Sequence, residues 1–177
     1  MIPARYEHTE YEDVPAGLKK LLEGMKRSRR GIYLWGGVGT GKTHIAYSMK
    51  RKWDETALRS AQFWNATELI HEIKADFDRD NINKVRPEQR ITESEGLIFI
   101  DDIGAEKSSD FVSETLYAII NNRYERMLPV VYTSNLSLKE LAERIGDRAV
   151  SRIVESCDIV ELSGEDRRLQ KVKKLKV

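Results

Sequence analysis

The sequence predicts an α/β domain, a parallel sheet flanked by helices, and three observations point there. Short apolar runs alternate with stretches whose apolar residues recur at helical spacing, the pattern of strands covered on both faces by crossover helices. A glycine-rich segment, Gly36 to Thr43, stands between the first such run and the first long helical stretch. A later run, Leu97-Ile98-Phe99-Ile100, ends on two adjacent acids, Asp101 and Asp102.

Taken in order, residues Met1 to about Gly17 are polar with two prolines and read as an extended arm, followed by the amphipathic segment Leu18, Leu21, Leu22 and Met25. Ile32-Tyr33-Leu34-Trp35 is the first strand, and Ile45, Ala46, Met49 and Trp53 mark the helix behind the glycine-rich segment. Ala61-Gln62-Phe63-Trp64 is a strand, and Thr67 is expected to cap a helix carrying Leu69, Ile70, Ile73 and Phe77. Residues Asp78 to Glu95 are charged and irregular, a loop with a short helix. After the strand at Leu97, a helix spans Asp110 to Met127 and stops before Pro129. Val130-Val131-Tyr132-Thr133 is the next strand. Leu138, Leu141 and Ile145 line a short helix that Gly146 ends, and Val150, Ile153 and Val154 mark another. Ile159 to Leu162 returns to strand character, and Arg167 to Val177 is a basic tail with helical potential.

The chain has 177 residues of which 40% are hydrophobic, enough for one domain with a true core. Thirty Lys and Arg stand against 29 Asp and Glu, so the net charge of +1 gives no global attraction to nucleic acid and any such site must be local. The single Cys157 excludes an intrachain disulfide and argues against a cysteine-based metal site. The start, MIPARYEHTE, lacks a secretory signal, and no apolar run approaches a membrane span; a cytoplasmic location is expected.

Gly36 to Thr43 matches the phosphate-binding pattern G-x-x-x-x-G-K-[ST] at every required position. Gly36, Gly37, Gly39 and Gly41 allow positive φ and a close approach of main-chain N–H groups to phosphate, with Val38, Thr40 and His44 completing the cradle. Lys42 is expected to reach the β- and γ-phosphates and the Thr43 hydroxyl to ligate Mg²⁺, while the helix beginning there adds its positive end. The ligands are thus ATP or ADP with Mg²⁺. Asp101 would hold the metal through water, Asp102 would orient the attacking water, and Asn135, closing Thr133-Ser134-Asn135, would reach the γ-phosphate side.

The order Gly36 to Thr43, then Leu97 through Asp101-Asp102-Ile103-Gly104-Ala105-Glu106, then Thr133-Ser134-Asn135, then Gly164-Glu165-Asp166-Arg167-Arg168 resembles the AAA+ ATPase domain of the bacterial helicase loaders DnaC and DnaI. The resemblance runs from about Tyr6 to Leu169, and the IstB ATPases of insertion-sequence transposition share the domain. It implies an N-terminal arm and short helix over residues 1–30, an AAA+ domain over 31–177, and little or no separate C-terminal lid. It also implies an arginine finger, Arg152 before Arg148, which enters a neighbour's site, and a nucleotide-sensing Arg168. A finger supplied by a neighbour implies head-to-tail association in the presence of nucleotide or DNA. The family further implies single-stranded DNA as a partner, with Lys74, Phe77, Arg79, Lys84, Arg86 and Arg90 as candidates, and a replicative DNA helicase as cargo. Alternatives are an IstB-like regulator acting with a transposase, and a nucleotide-gated interaction module with negligible hydrolysis. Two departures stand out: about thirty residues precede the first strand where full loaders carry a helicase-gripping region, and Asp102 stands where many AAA+ proteins have Glu.

Overall fold

A computed structural model describes residues 2–77 and 86–166. Two single 3₁₀ turns, Ala4–Tyr6 and Tyr11–Asp13, form the arm, and α1 (Ala16–Ser28) follows. The alternating core is then β1 (Gly31–Trp35), α2 (Lys42–Thr56), β2 (Gln62–Asn65), α3 (Ala66–Phe77), α4 (Pro87–Thr92), β3 (Ile98–Asp101), α5 (Asp110–Glu125), β4 (Val130–Ser134), α6 (Leu138–Ile145), α7 (Asp147–Ser156) and β5 (Cys157–Glu161). The strands make one parallel sheet, as the alternation predicts, and their order is β2-β3-β4-β1-β5. Among the described residues there is no separate lid domain, and no helix is long and apolar enough to cross a membrane.

Period-two alternation along the central strands divides the interior into two cores. Tyr33, Ile98, Ile100, Val130 and Tyr132 face the layer built by α3, α5, α6 and α7. Their neighbours Ile32, Leu34, Phe99 and Val131 face α1 and α2, where Leu18, Leu22, Met25, Ile45, Met49 and Trp53 complete the packing. Both faces are therefore covered, which is why the central strands read as continuous apolar runs rather than alternating ones.

Three sequence expectations are corrected. Thr67 lies inside α3, whose first turn is capped by Asn65, its side-chain oxygen accepting from Glu68 N–H at 3.1 Å; Asn serves because β2 enters the helix without a loop. Val154 is exposed on α7, whose buried stripe is Ala149, Val150 and Ile153. β5 begins at Cys157, two residues earlier than its apolar run, because Gly31 pairs with Cys157. Burial pushes the Cys157 thiol up to about 12, so it behaves as a small core group.

One charged residue of α5 lies in the interior. The Arg123 guanidinium donates to the carbonyls of Ile91, Ser94, Gly96 and Pro129 at 2.7 to 3.1 Å. It fastens the end of α4 and the entry to β3 against the end of α5. Burial depresses its pKa to about 10, so it stays protonated at neutral pH.

Candidate functional site

The loops leaving β1, β3 and β4 meet at the carboxyl ends of their strands, where parallel α/β sheets bind ligands. Gly36 N–H donates to Ser134 O at 3.2 Å, tying the start of the phosphate loop to β4. A Cβ on Gly36 would stand 2.2 Å from Leu162 O, so the close approach of the chain after β5 demands glycine there. Gly39 at φ +76° and Gly41 at φ +100° occupy the left-handed region. Gly37 does not: its expected positive φ is absent, and a Cβ would meet only Thr40 Cγ2 at an ordinary 3.8 Å. The bend at Gly39 and Gly41 turns the loop without it.

α2 begins at Lys42, so its positive end faces the loop. The Lys42 ammonium is buried and donates to Gly36 O at 2.8 Å and Gly37 O at 2.7 Å, closing the loop on itself. Thr40 Oγ1 adds a bond to Gly37 O at 2.9 Å.

The acidic pair is joined to α2 and to β4. Thr43 Oγ1 donates to Asp101 Oδ2 at 3.1 Å, and Thr133 Oγ1 donates to Asp101 Oδ1 at 2.6 Å. Burial pushes the Asp101 carboxyl above its ordinary range, opposed by these two hydroxyls and reinforced by the charge of Asp102. Two hard oxygen ligands from a threonine and a carboxylate suit a cation that retains most of its water, so Thr43 and Asp101 fit Mg²⁺. Asp102 sits in the left-handed region at φ +61°, held by its N–H to Thr133 Oγ1 at 2.9 Å. Asn135 Nδ2 donates to Asp102 Oδ1 at 2.8 Å. The next turn is pinned as well: Ser134 Oγ donates to Ile103 O at 2.6 Å, and the buried Glu106 accepts Gly104 N–H at 2.9 Å.

A cleft of about 920 Å³ opens here, with Val38, Gly39, Gly41, Lys42, Thr43, His44, Asp102, Thr133 and Asn135 on its walls. The arm supplies the rest of the wall through Arg5, Tyr6, His8 and Asp13. The Tyr6 ring stacks on Tyr47 of α2 with centroids 4.6 Å apart, and Tyr47 stacks on Phe63 of β2 at 3.9 Å. Arg51 holds the carbonyls of Tyr6 and Glu7, and His44 Nε2 lies 3.5 Å from Asp13 Oδ2. Two contributions carried little sequence signal. The arm's place depends on stacking between residues distant in sequence, and the bridging role of Thr133 was visible only as membership of Thr133-Ser134-Asn135.

Arg148 and Arg152 lie one turn apart on α7. Arg152 is held by its own chain, its Nε donating to Asn121 Oδ1 at 3.2 Å and its guanidinium 4.7 Å from the Tyr124 ring. Arg148 is exposed and carries no side-chain partner among the described residues. Among the described residues, Lys74 stands over the Phe111 ring at 5.2 Å, Arg90 over Trp64 at 4.7 Å, and Arg86 lies 3.9 Å from Asp76. Phe77 closes α3. Arg79, Lys84, Arg168 and the basic tail lie outside the described residues.

The model of the IstB-like ATP binding protein family matches residues 4–175. The chain belongs to the IstB-like ATP-binding family. Among curated relatives of this family member, the phage-like element PBSX protein XkdC of Bacillus subtilis is 26% identical over 134 residues, 73% of this chain and 48% of that protein. The chain spans less than half the length of the curated relatives it matches first. Three solved structures share the IstB-like chain's fold. The DnaC helicase loader superposes with a TM-score of 0.79 at 23% identity, covering 90% of this chain and 99% of that one. DnaI gives 0.77 at 22% identity, covering 92% and 95%. The replication initiator DnaA bound to AMPPCP and single-stranded DNA gives 0.70 at 21% identity, covering 84% and 44%. The fold expected from the motif order, a parallel sheet flanked by helices with the phosphate loop after its first strand, is shared with these structures.

Proposed function

We propose that this chain is an ATPase of the helicase-loader type, which binds ATP with Mg²⁺, assembles head to tail on single-stranded DNA, and delivers or remodels a replicative helicase. The observation that carries the reading is the continuous network Thr43–Asp101–Thr133 and Asp102–Asn135 across the mouth of the phosphate loop. It joins the loop, the acidic pair and the end of β4 in one cleft, the arrangement phosphoryl transfer to water requires. Thr43 and Asp101 would hold the metal, whose chemistry when bound is to neutralise phosphate charge. The Asp102 carboxylate, fixed by Asn135, orients the attacking water. Asp102 is one methylene shorter than Glu, so turnover by one chain is slow. Acceleration comes from a neighbour's arginine, Arg152 in the first instance, which its contacts with Asn121 and Tyr124 hold in a defined orientation. Arg148 is the second choice. The fold shared with the DnaC helicase loader and with DnaA bound to single-stranded DNA supports the choice of partners.

A second reading, a transposition regulator that acts on double-stranded DNA with a transposase, is favoured by the IstB-like family model itself. Turnover measured alone, with single-stranded and with double-stranded DNA separates them. The loader reading expects stimulation by single strands and ATP-dependent co-purification with the host's replicative helicase. Stimulation by duplex alone, with no helicase retained in either nucleotide state, contradicts it.

A further inference from the structure

The chain leaving β5 runs along the phosphate loop and touches it twice. Leu162 N–H donates to Trp35 O at 2.7 Å, and the Leu162 carbonyl then stands 2.2 Å from where a Cβ on Gly36 would lie. Four residues later the chain returns: a Cβ on Gly39 would fall 1.8 Å from Asp166 Oδ1 and 2.6 Å from Oδ2. A carboxylate is therefore seated against the loop at Gly39, a residue in the left-handed region; the loop and the start of α2 that follows it are built to receive phosphate. A second anion in that place opposes a triphosphate rather than helping to bind it.

We propose that Asp166 sets the affinity of the nucleotide site, as a built-in competitor: its carboxylate occupies ground beside the cradle that a phosphate of ATP needs, and ATP binding expels it. This deepens the reading of Gly36 to Thr43 as an ATP site and rests on it. The segment Leu162–Asp166 then has two positions, against the loop when the cleft lacks nucleotide and displaced when it is filled. Occupancy of the cleft is passed to the chain that follows β5, and ATP binds more weakly by the fraction of molecules in which the carboxylate must first leave.

The test is titration with a fluorescent ATP analogue and Mg²⁺ of the wild-type chain, Asp166→Asn, Asp166→Ser and Lys42→Ala, with competition by inorganic tripolyphosphate and by adenosine. Both Asp166 variants should bind the analogue and tripolyphosphate about three- to tenfold more tightly, with adenosine unchanged. Triphosphate binding that is unchanged or weaker in both variants, or an equal gain for adenosine, overturns the proposal. Lys42→Ala tells the two levels apart: loss of binding there with no gain at Asp166 removes the competitor alone, whereas wild-type binding by Lys42→Ala removes the ATP site itself.

Discussion

Asp101 has both carboxylate oxygens engaged by hydroxyls and is nevertheless buried next to a second acid. Its pKa is raised, so the folded state holds this proton more tightly than the unfolded chain does. Stability from this group is therefore present at low pH and is lost as pH rises from the ordinary carboxylate range through the raised value. Ionising this buried carboxyl in the nucleotide-free chain is therefore a burden. Asp101→Asn should raise the Tm of the nucleotide-free chain, since Asn can keep a bond to each hydroxyl and has no charge to bury. The same change should remove the Mg²⁺-dependent part of ATP affinity. A lower Tm, or an intact Mg²⁺ effect, contradicts this account of Asp101. Lys42→Ala should abolish ATP binding by calorimetry, because the loop N–H groups alone leave the triphosphate charge uncompensated. Wild-type affinity in that variant refutes the phosphate-loop assignment.

At the scale of elements, what was legible in the sequence follows from which forces are local. The continuous runs at Ile32 and Leu97 announced buried strands because both faces of the sheet are covered. Ser137 caps α6 reciprocally with Glu140, as a short helix with only two buried residues, Leu141 and Ile145, requires. Ser137→Ala should cost about 1 kcal/mol in urea unfolding. Arg123 was illegible: nothing in α5 distinguishes it from a solvated arginine, since its four carbonyl partners come from segments folded back from elsewhere. Arg123→Leu would leave those carbonyls without their donor in the interior and should destabilise by about 3 kcal/mol. A loss below about 1 kcal/mol in urea titration would mean that water replaces the guanidinium. Within the site, the loop and acidic pair could be read because their chemistry fixes residue type at close spacing. The Tyr6 stack on Tyr47 and the Asp166 contact with Gly39 could not, because each joins residues whose separation carries no period.

For the whole molecule, the cleft presents the loop, Asp102 and Asn135 from one chain, and among the described residues no arginine of the chain's own α7 is given a place in it. The proposed head-to-tail association would supply that cation from a second copy, and activity would then depend on concentration and on any strand that aligns the copies. The most direct measurement is ATP hydrolysis by Lys42→Ala and Arg152→Ala chains, each alone and then mixed, with single-stranded DNA present. Each variant alone should be silent, and the mixture should recover part of the wild-type rate, because an Arg152→Ala chain with an intact loop receives its arginine from a Lys42→Ala neighbour. A mixture as silent as its components, or an Arg152→Ala chain that hydrolyses ATP at the wild-type rate by itself, would contradict a site completed by a neighbour's Arg152.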